Sequence, residues 1–240
     1  MSTALSPPQA FSGYFTGQEI SLLSLSFEAA QELRYQVYCE ECNFLQRSDF
    51  PDGRESDEHD IRSAHFVALD RGDELAGYVR LVLPDAGHSF PFQSHCVKLL
   101  DGVELPPKPL SAEISRLIVR KGYRRRQGER APTGVPLDEN PPSVPHEMRN
   151  PSPQILLNLY REMYAYSVRH GIRYWYAAME RSLARMLARM NFGFQQIGPA
   201  IDYYGPVAPY MADLRVLEQQ VALQNPSLFA WMRSAVDERP

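Results

Sequence analysis

An ionised side chain inside a sheet is costly unless a partner or a cavity receives it, and this sequence sets three of them in apolar, strand-like segments. Within 75–83, Leu75, Gly77, Val79, Leu81 and Leu83 share one face while Tyr78, Arg80 and Val82 share the other. Within 112–119, the run A-E-I-S-R-L-I-V holds Glu113 and Arg116 among apolar neighbours. Cross-strand or sheet-edge ion pairing would account for each of these charges alone. Together with Arg34 on a helical segment, and with Asp57 and Asp60 in E-S-D-E-H-D, they can instead compose an alternating network of guanidiniums and carboxylates. Arginine suits that role because its planar fork binds carboxylates in a bidentate way.

Glu113 and Arg116 lie three residues apart, so in a regular strand they point to opposite faces. A β-bulge would re-aim one of them and leave backbone N–H groups outside the ladder. The sequence predicts that bulge, since free N–H groups are what an acyl-transfer site uses to hold a developing oxyanion.

Around these strands the periodicity reads as layers. Phe27, Ala30, Leu33 and Val37 recur at helical spacing over 27–42, with Arg34, Tyr38 and Glu41 along a neighbouring face. Segment 46–62 is a charged loop. Strands follow at 64–69 and 75–83, joined by the turn Asp70-Arg71-Gly72-Asp73. Residues 84–110 read as loop with weak helical potential near 97–100, before the strand at 112–119. Seven of the 23 residues in 131–153 are proline, which excludes regular structure there. A helix starts at Ser152-Pro153 and stops near Gly171, a strand spans 172–179, and a short amphipathic helix covers 182–190. Strand-like pieces within 194–211 and a helix near 212–235 complete the chain. The expected fold class is an α/β layered domain with a mostly antiparallel central sheet. It forms one domain over 1–240, with 1–20 as a flexible arm and 121–152 as a mobile insertion.

Composition narrows the function classes. With 44% apolar and 22% charged residues, 240 residues bury one sizeable core. The net charge of −4 argues against a chain built to coat nucleic acid, and no run has the length and apolarity of a membrane span. A cytoplasmic protein is the expectation. Cys39 and Cys42 form a C-x-x-C, but no second paired motif completes four zinc ligands, so they read as reduced structural thiols and no metal is expected. There is no G-x-S-x-G, G-x-x-x-x-G-K-[ST], H-E-x-x-H or G-x-G-x-x-G. The run from Arg120 to Arg130 has six basic groups and one acidic, a local +5 that leaves −9 elsewhere. It reads as a solvated loop or as a docking surface for an acidic partner.

The series Arg34-x-x-Val37-Tyr38, Phe44, Asp57-x-x-Asp60, Gly77-Tyr78-Val79-Arg80 and Glu113-Ile114-Ser115-Arg116 resembles the acyl-homoserine-lactone (autoinducer) synthases. Glu180-Arg181-Ser182-Leu183, Gly198-Pro199 and Asp202-Tyr203-Tyr204-Gly205 look like the C-terminal half of the same superfamily, which includes the N-acyl amino acid synthases. In length, and in its Arg- and Pro-rich insertion, the chain is most similar to the PEP-CTERM/exosortase system-associated acyltransferases.

The resemblance implies a GNAT-like fold and transfer of a fatty acyl group from an acyl carrier protein thioester, or from acyl-CoA, to an amine. No permanently bound cofactor is implied. Glu113, Arg116 and Arg80 take catalytic places, with Glu113 as the base. Arg34, Tyr38, Phe44, Asp57, Asp60 and Ser115 take substrate-binding places. Arg120, Lys121, Arg124, Arg125 and Arg126 would dock the carrier protein, whose acidic surface suits them. Two departures fall on the family's acceptor side: Phe44 stands where Trp is usual, and Tyr38 where Phe is common. They favour the α-amine of an amino acid or its derivative over S-adenosylmethionine. The alternatives are an acyl-homoserine-lactone synthase using S-adenosylmethionine, and a non-catalytic module that binds acyl chains or carrier protein.

Overall fold

The structure, a computed structural model, describes residues 13–124 and 152–237. Its elements are β1 (Thr16–Ile20), α1 (Leu25–Tyr35), β2 (Ser63–Leu69), β3 (Leu75–Val82), α2 (Pro91–His95), β4 (Ser111–Val119), α3 (Ser152–Arg169), β5 (Tyr174–Glu180), α4 (Arg181–Arg189), β6 (Gln195–Gln196), β7 (Ile201–Asp202), β8 (Pro206–Asp213), α5 (Leu214–Gln224) and α6 (Pro226–Asp237). The strands form one sheet in the order β1-β2-β3-β4-β5-β8-β6, with β7 also paired to β8. Only β4 and β5 run parallel; the other pairs are antiparallel. The expected layered fold with a mostly antiparallel sheet is the one observed.

Helices cover both faces of the N-terminal strands. On one face α3 lays Ile155, Leu159 and Met163 against Phe66, Val79, Leu81 and Ile114 in the main core. The approach is close: a Cβ on Gly77 would lie 2.6 Å from Ile155 Cγ2, so β3 needs glycine there. On the other face α1 packs Phe27, Ala30 and Leu33, and the turn after it Val37, against Val67, Tyr78 and Ile118. Ser24 caps that helix by accepting the Phe27 N–H at 3.2 Å. A third apolar cluster gathers Val82, Phe90, Phe92, Cys96, Tyr176 and Ile197.

Several expectations need correction. Residues 16–20 are not part of a loose arm: β1 pairs in full with β2, from Thr16 opposite Leu69 to Ile20 opposite His65. This edge strand is mostly exposed, so it lacks the apolar alternation that marks a half-buried strand. The helix over 27–42 is α-helical only to Tyr35, then widens into a π-helical turn over Gln36–Glu41, with the Cys42 N–H reaching the Val37 carbonyl at 2.9 Å. Helix in the 84–110 loop lies at α2 rather than near 97–100. The C-terminal helix is two helices broken at Asn225, because the residue before a proline avoids helical geometry. Asn225 Oδ1 then accepts the Leu228 N–H at 3.1 Å at the start of α6. Of the insertion, Lys121–Tyr123 form a 3₁₀ turn and Ser152 opens α3; 125–151 lie outside the described residues.

Candidate active site

The predicted bulge is present in β4, beginning three residues beyond Glu113. Tyr78 pairs with Ile118 and Arg80 with Ser115, so Arg116 and Leu117 together oppose Val79. Arg116 takes φ 55°, a left-handed conformation that a non-glycine residue adopts at a cost of about 1–2 kcal/mol. The bulge resolves the conflict in spacing. Glu113 lies opposite Val82 and Ser115 opposite Arg80, so all four share the α1 face, and the extra residue turns Arg116 onto that face as well. The parallel pairing of β4 with β5 spans only Ser111 to Glu113. Beyond Glu113 the two strands part, and β5 continues alongside β8 as far as Glu180.

Six charges form a closed ring on this face. Arg34 Nε donates to Glu55 Oε2 at 2.5 Å and its Nη1 to Asp60 Oδ1 at 2.7 Å. Arg80 donates through Nη1 to Asp60 at 2.7 Å and through both Nη atoms to Asp57. Arg116 closes the circuit, its Nη2 lying 3.0 Å from both Glu55 Oε1 and Asp57 Oδ2. Arg34, Arg80, Glu55 and Asp60 are buried, whereas Asp57 and Arg116 keep side-chain exposures of 22% and 24% and form the ring's open side. Burial pushes the three carboxyls up, but the facing guanidiniums outweigh it and hold them below the ordinary carboxylate range. The ring is fully ionised and neutral overall.

The loop that delivers these carboxylates is tied by its own side chains. The Asp57 N–H donates to Asp60 Oδ2 at 3.0 Å, the His59 N–H to Asp57 Oδ1 at 2.9 Å, and the Glu55 N–H to the Gln31 carbonyl at 3.1 Å. Beneath it, His65 bridges the Asp60 carbonyl at 2.9 Å and the Tyr78 hydroxyl at 2.7 Å, and burial holds its imidazole below the ordinary histidine range. A neutral ring in that position donates from Nε2 to the carbonyl and accepts the Tyr78 proton at Nδ1.

Glu113 stands apart from the ring. It is 3% exposed, lies among Val82, Phe92 and Tyr176, and accepts the Phe92 N–H at 2.9 and 3.1 Å. Among the described residues no arginine hydrogen-bonds or ion-pairs with it. Burial pushes its carboxyl up to about 8, against the smaller opposing effects of the Phe92 N–H and the more distant Arg80. Ser115 bridges the two regions weakly, its Oγ lying 3.4 Å from Arg80 Nη2.

The remaining site residues fall into two groups. The Arg116 guanidinium lies over the Tyr38 ring, 5.1 Å from its centroid, and Phe44 stacks on Tyr204 at 5.1 Å. Tyr204 adjoins Tyr203, which in turn stacks on His95 at 3.8 Å. Thus Tyr38 reaches the ring, and Phe44 joins an aromatic row with Tyr204 and Tyr203, quoted from the sequence without a role, and His95, which the sequence did not single out. None of the described residues of the basic run pairs with Glu113. Arg120 pairs with Glu74 at 3.2 Å and Arg124 with Glu41 at 2.5 Å; Lys121 makes no ion pair among the described residues, and Arg125 and Arg126 lie outside them. Cys39, Cys42 and Cys96 form no disulfide among the described residues.

Sequence reasoning missed Glu55, the residue that closes the ring. Charge balance was the available signal: the guanidiniums of Arg34, Arg80 and Arg116 against Asp57 and Asp60 leave one positive charge unmatched, and Glu55 begins the same acidic segment.

Strands that part beside a bulged, site-bearing neighbour are the decisive observation. The chain has the GNAT fold. Residues 33–131 match the family described as "Acetyltransferase (GNAT) domain". TofI, solved with an inhibitor and MTA, superimposes with a TM-score of 0.62 at 17% identity, over 90% of this chain and 96% of its own. BjaI, a CoA-dependent acyl-homoserine lactone synthase solved with SAM and isopentyl-CoA, gives 0.55 at 19% identity, over 92% and 98%. FeeM, an N-acyl amino acid synthase from uncultured soil microbes, gives 0.55 at 14% identity, over 87% and 96%. No curated protein matches the sequence. The GNAT-like fold inferred from the motif series is therefore the observed one, and both the matched domain and these synthases transfer acyl groups.

Proposed function

We propose that this GNAT-fold chain is an N-acyltransferase that moves a fatty acyl group from an acyl carrier protein thioester to the α-amine of an amino acid or amino-acid derivative. The observation that carries the reading is Glu113: a buried carboxyl pushed up to about 8, next to a bulged strand edge and on the same face as the arginine–carboxylate ring. An acceptor amine arrives as an ammonium and attacks only after losing a proton. A carboxylate whose pKa lies near the working pH suits that proton transfer, directly or through a water. The neutral amine then adds to the thioester carbonyl, backbone N–H groups left outside the ladder near Arg116 and Leu117 hold the oxyanion, and the thiol leaves with a proton as the amide forms.

The ring assigns the arginines a narrower role than clamping the acceptor. Arg34 and Arg80 are spent on Glu55, Asp57 and Asp60, so they order carboxylates. The open side of the ring, Asp57 with Arg116, is where an acceptor with both an ammonium and a carboxylate finds complementary charges. Tyr38 borders that side beneath the Arg116 guanidinium, and Ser115 lies beside Arg80. The exosortase-system assignment belongs to the same reading and is supported by the sequence resemblance; a cytoplasmic location belongs to it as well.

A second reading, synthesis of an acyl-homoserine lactone from S-adenosylmethionine, is favoured by the ligands of TofI and BjaI. One experiment separates the readings. The purified protein is given acyl carrier protein thioesters with an amino-acid mixture, then with S-adenosylmethionine, and products are read by mass spectrometry. N-acyl amino acids that vanish in Glu113→Gln support the proposal, and a lactone supports the second reading. No product with any acceptor leaves a binding module.

A further inference from the structure

A gap separates the two halves of the site. Glu113 lies closed in its pocket with both carboxylate oxygens on the Phe92 N–H, while the charges left for an acceptor, Asp57 and Arg116, lie on the open side of the ring. No hydrogen bond among the described residues joins Glu113 to either of them. A proton taken from an ammonium at Asp57 therefore needs a carrier to reach Glu113.

The turn between β7 and β8 spans that gap. It is closed by the Tyr203 N–H, which donates to the Gly205 carbonyl at 2.9 Å, and by the Gly205 N–H, which donates to Asp202 Oδ1 at 3.3 Å. On one side Tyr203 stacks on His95, one helical turn beyond the Phe92 that holds Glu113. On the other, Tyr204 stacks on Phe44, whose N–H donates to the carbonyl of Tyr38, the residue beneath Arg116. Tyr203 is half-buried, and its hydroxyl makes no hydrogen bond among the described residues, whereas those of Tyr78, Tyr123 and Tyr164 are all engaged. Burial pushes its phenol above the ordinary tyrosine range, so it keeps its proton at neutral pH; besides Tyr204, the groups whose charges reach it are Arg116, Asp57 and Glu113.

We propose that Tyr203 is a further catalytic residue, its hydroxyl relaying the acceptor's proton from the open side of the ring to Glu113. The inference rests on the acyl-transfer reading and supplies the path its base uses. A phenol suits the task because one oxygen both accepts and donates. The ammonium gives one proton to the Tyr203 oxygen as the phenolic proton passes to the Glu113 carboxylate. Nitrogen keeps the electron pair of the broken N–H bond, Tyr203 remains a neutral phenol, and Glu113 becomes the carboxylic acid. Glu113 returns that proton to solvent before the next turnover.

Tyr203→Phe keeps the ring that stacks on His95 and removes only the hydroxyl. It should lower kcat for N-acyl product about tenfold to a hundredfold and leave the acceptor KM within about threefold, the split expected of a group that acts in the chemical step. A second readout needs no turnover. In NMR of isotope-labelled tyrosine, the resonance that Tyr203→Phe removes should shift in the wild type with a midpoint at about 8, following Glu113, and the shift should vanish in Glu113→Gln. A Tyr203 resonance that stays flat across that range, or a Tyr203→Phe variant with undiminished kcat, overturns the relay. Absence of N-acyl product from the wild type counts against the proposed function, and the NMR titration still decides whether Tyr203 meets Glu113.

Discussion

One face of the sheet holds two kinds of buried carboxyl, and they are treated oppositely. Glu55, Asp57 and Asp60 share three guanidiniums and are held below the ordinary carboxylate range. Glu113 has a single backbone N–H and is pushed up to about 8. Burial acts in the same upward direction on all four, so arginine contact decides the outcome. The difference separates tasks. A carboxylate pinned by arginines is a poor base but a firm scaffold, whereas one left alone in an apolar pocket takes and releases a proton near neutral pH.

The largest effect is expected from removing the titratable member. Glu113→Gln keeps the shape and an acceptor for the Phe92 N–H, yet it should lower kcat/KM for N-acyl product by about 10²–10⁴, the range for a general base. In the wild type, kcat/KM should rise with pH up to about 8, because Glu113 must lose its proton before it can accept another. A variant that stays within a few-fold of wild type would remove Glu113 from the chemistry and leave its raised pKa a consequence of packing.

Breaking the ring should act on the fold instead. Arg34→Met strands Glu55 and Asp60, buried carboxylates that both lean on this guanidinium, and should cost about 3–5 kcal/mol in urea unfolding. If Arg34→Met costs no more than Arg47→Met, a change in an exposed 3₁₀ turn, the ring is not the scaffold described here.

These two regions were unequally legible. The ring's arginines were visible because a charge in an apolar strand breaks an alternation, and Arg80 and Arg116 do that plainly. Spacing left Glu113 and Arg116 either on opposite faces or on a bulged strand, and the need of an acyl-transfer site for free N–H groups selected the bulge. Glu55 escaped because in a charged loop one carboxylate looks like another, and only the three-dimensional count selects it. The isolation of Glu113 was also hidden: its pocket comes from Phe92 and Tyr176, segments that no local pattern ties to β4. β1 was missed for a related reason, as an edge strand draws its order from pairing with β2 and carries little periodicity of its own.

Stability should depend on pH in opposite senses for the two regions. The Glu113 pKa is raised on folding, so the native state keeps a proton that the unfolded chain loses above about 4.3. Its contribution therefore declines as pH rises from there to about 8, then levels. The ring carboxyls are lowered on folding; their contribution is present above the ordinary carboxylate range and is lost as pH falls below it. Urea midpoints measured across pH should peak in mildly acidic solution. Glu113→Gln should flatten the alkaline limb and leave the acid limb intact. An alkaline limb that survives the substitution would assign it to another group.

The smallest effect tests whether the regions are independent. Ser115 sits between Glu113 and Arg116, and its hydroxyl accepts only a long bond, 3.4 Å, from an Arg80 guanidinium already occupied by Asp57 and Asp60. Hydrogen bonds of that length contribute little, so Ser115→Ala should change stability by less than about 1 kcal/mol. The double variant with Glu113→Gln should then be additive within about 0.5 kcal/mol. A larger coupling, or an alkaline limb displaced by Ser115→Ala alone, would mean that Arg80 transmits the ring's charge to Glu113 and that base and scaffold form one electrostatic unit.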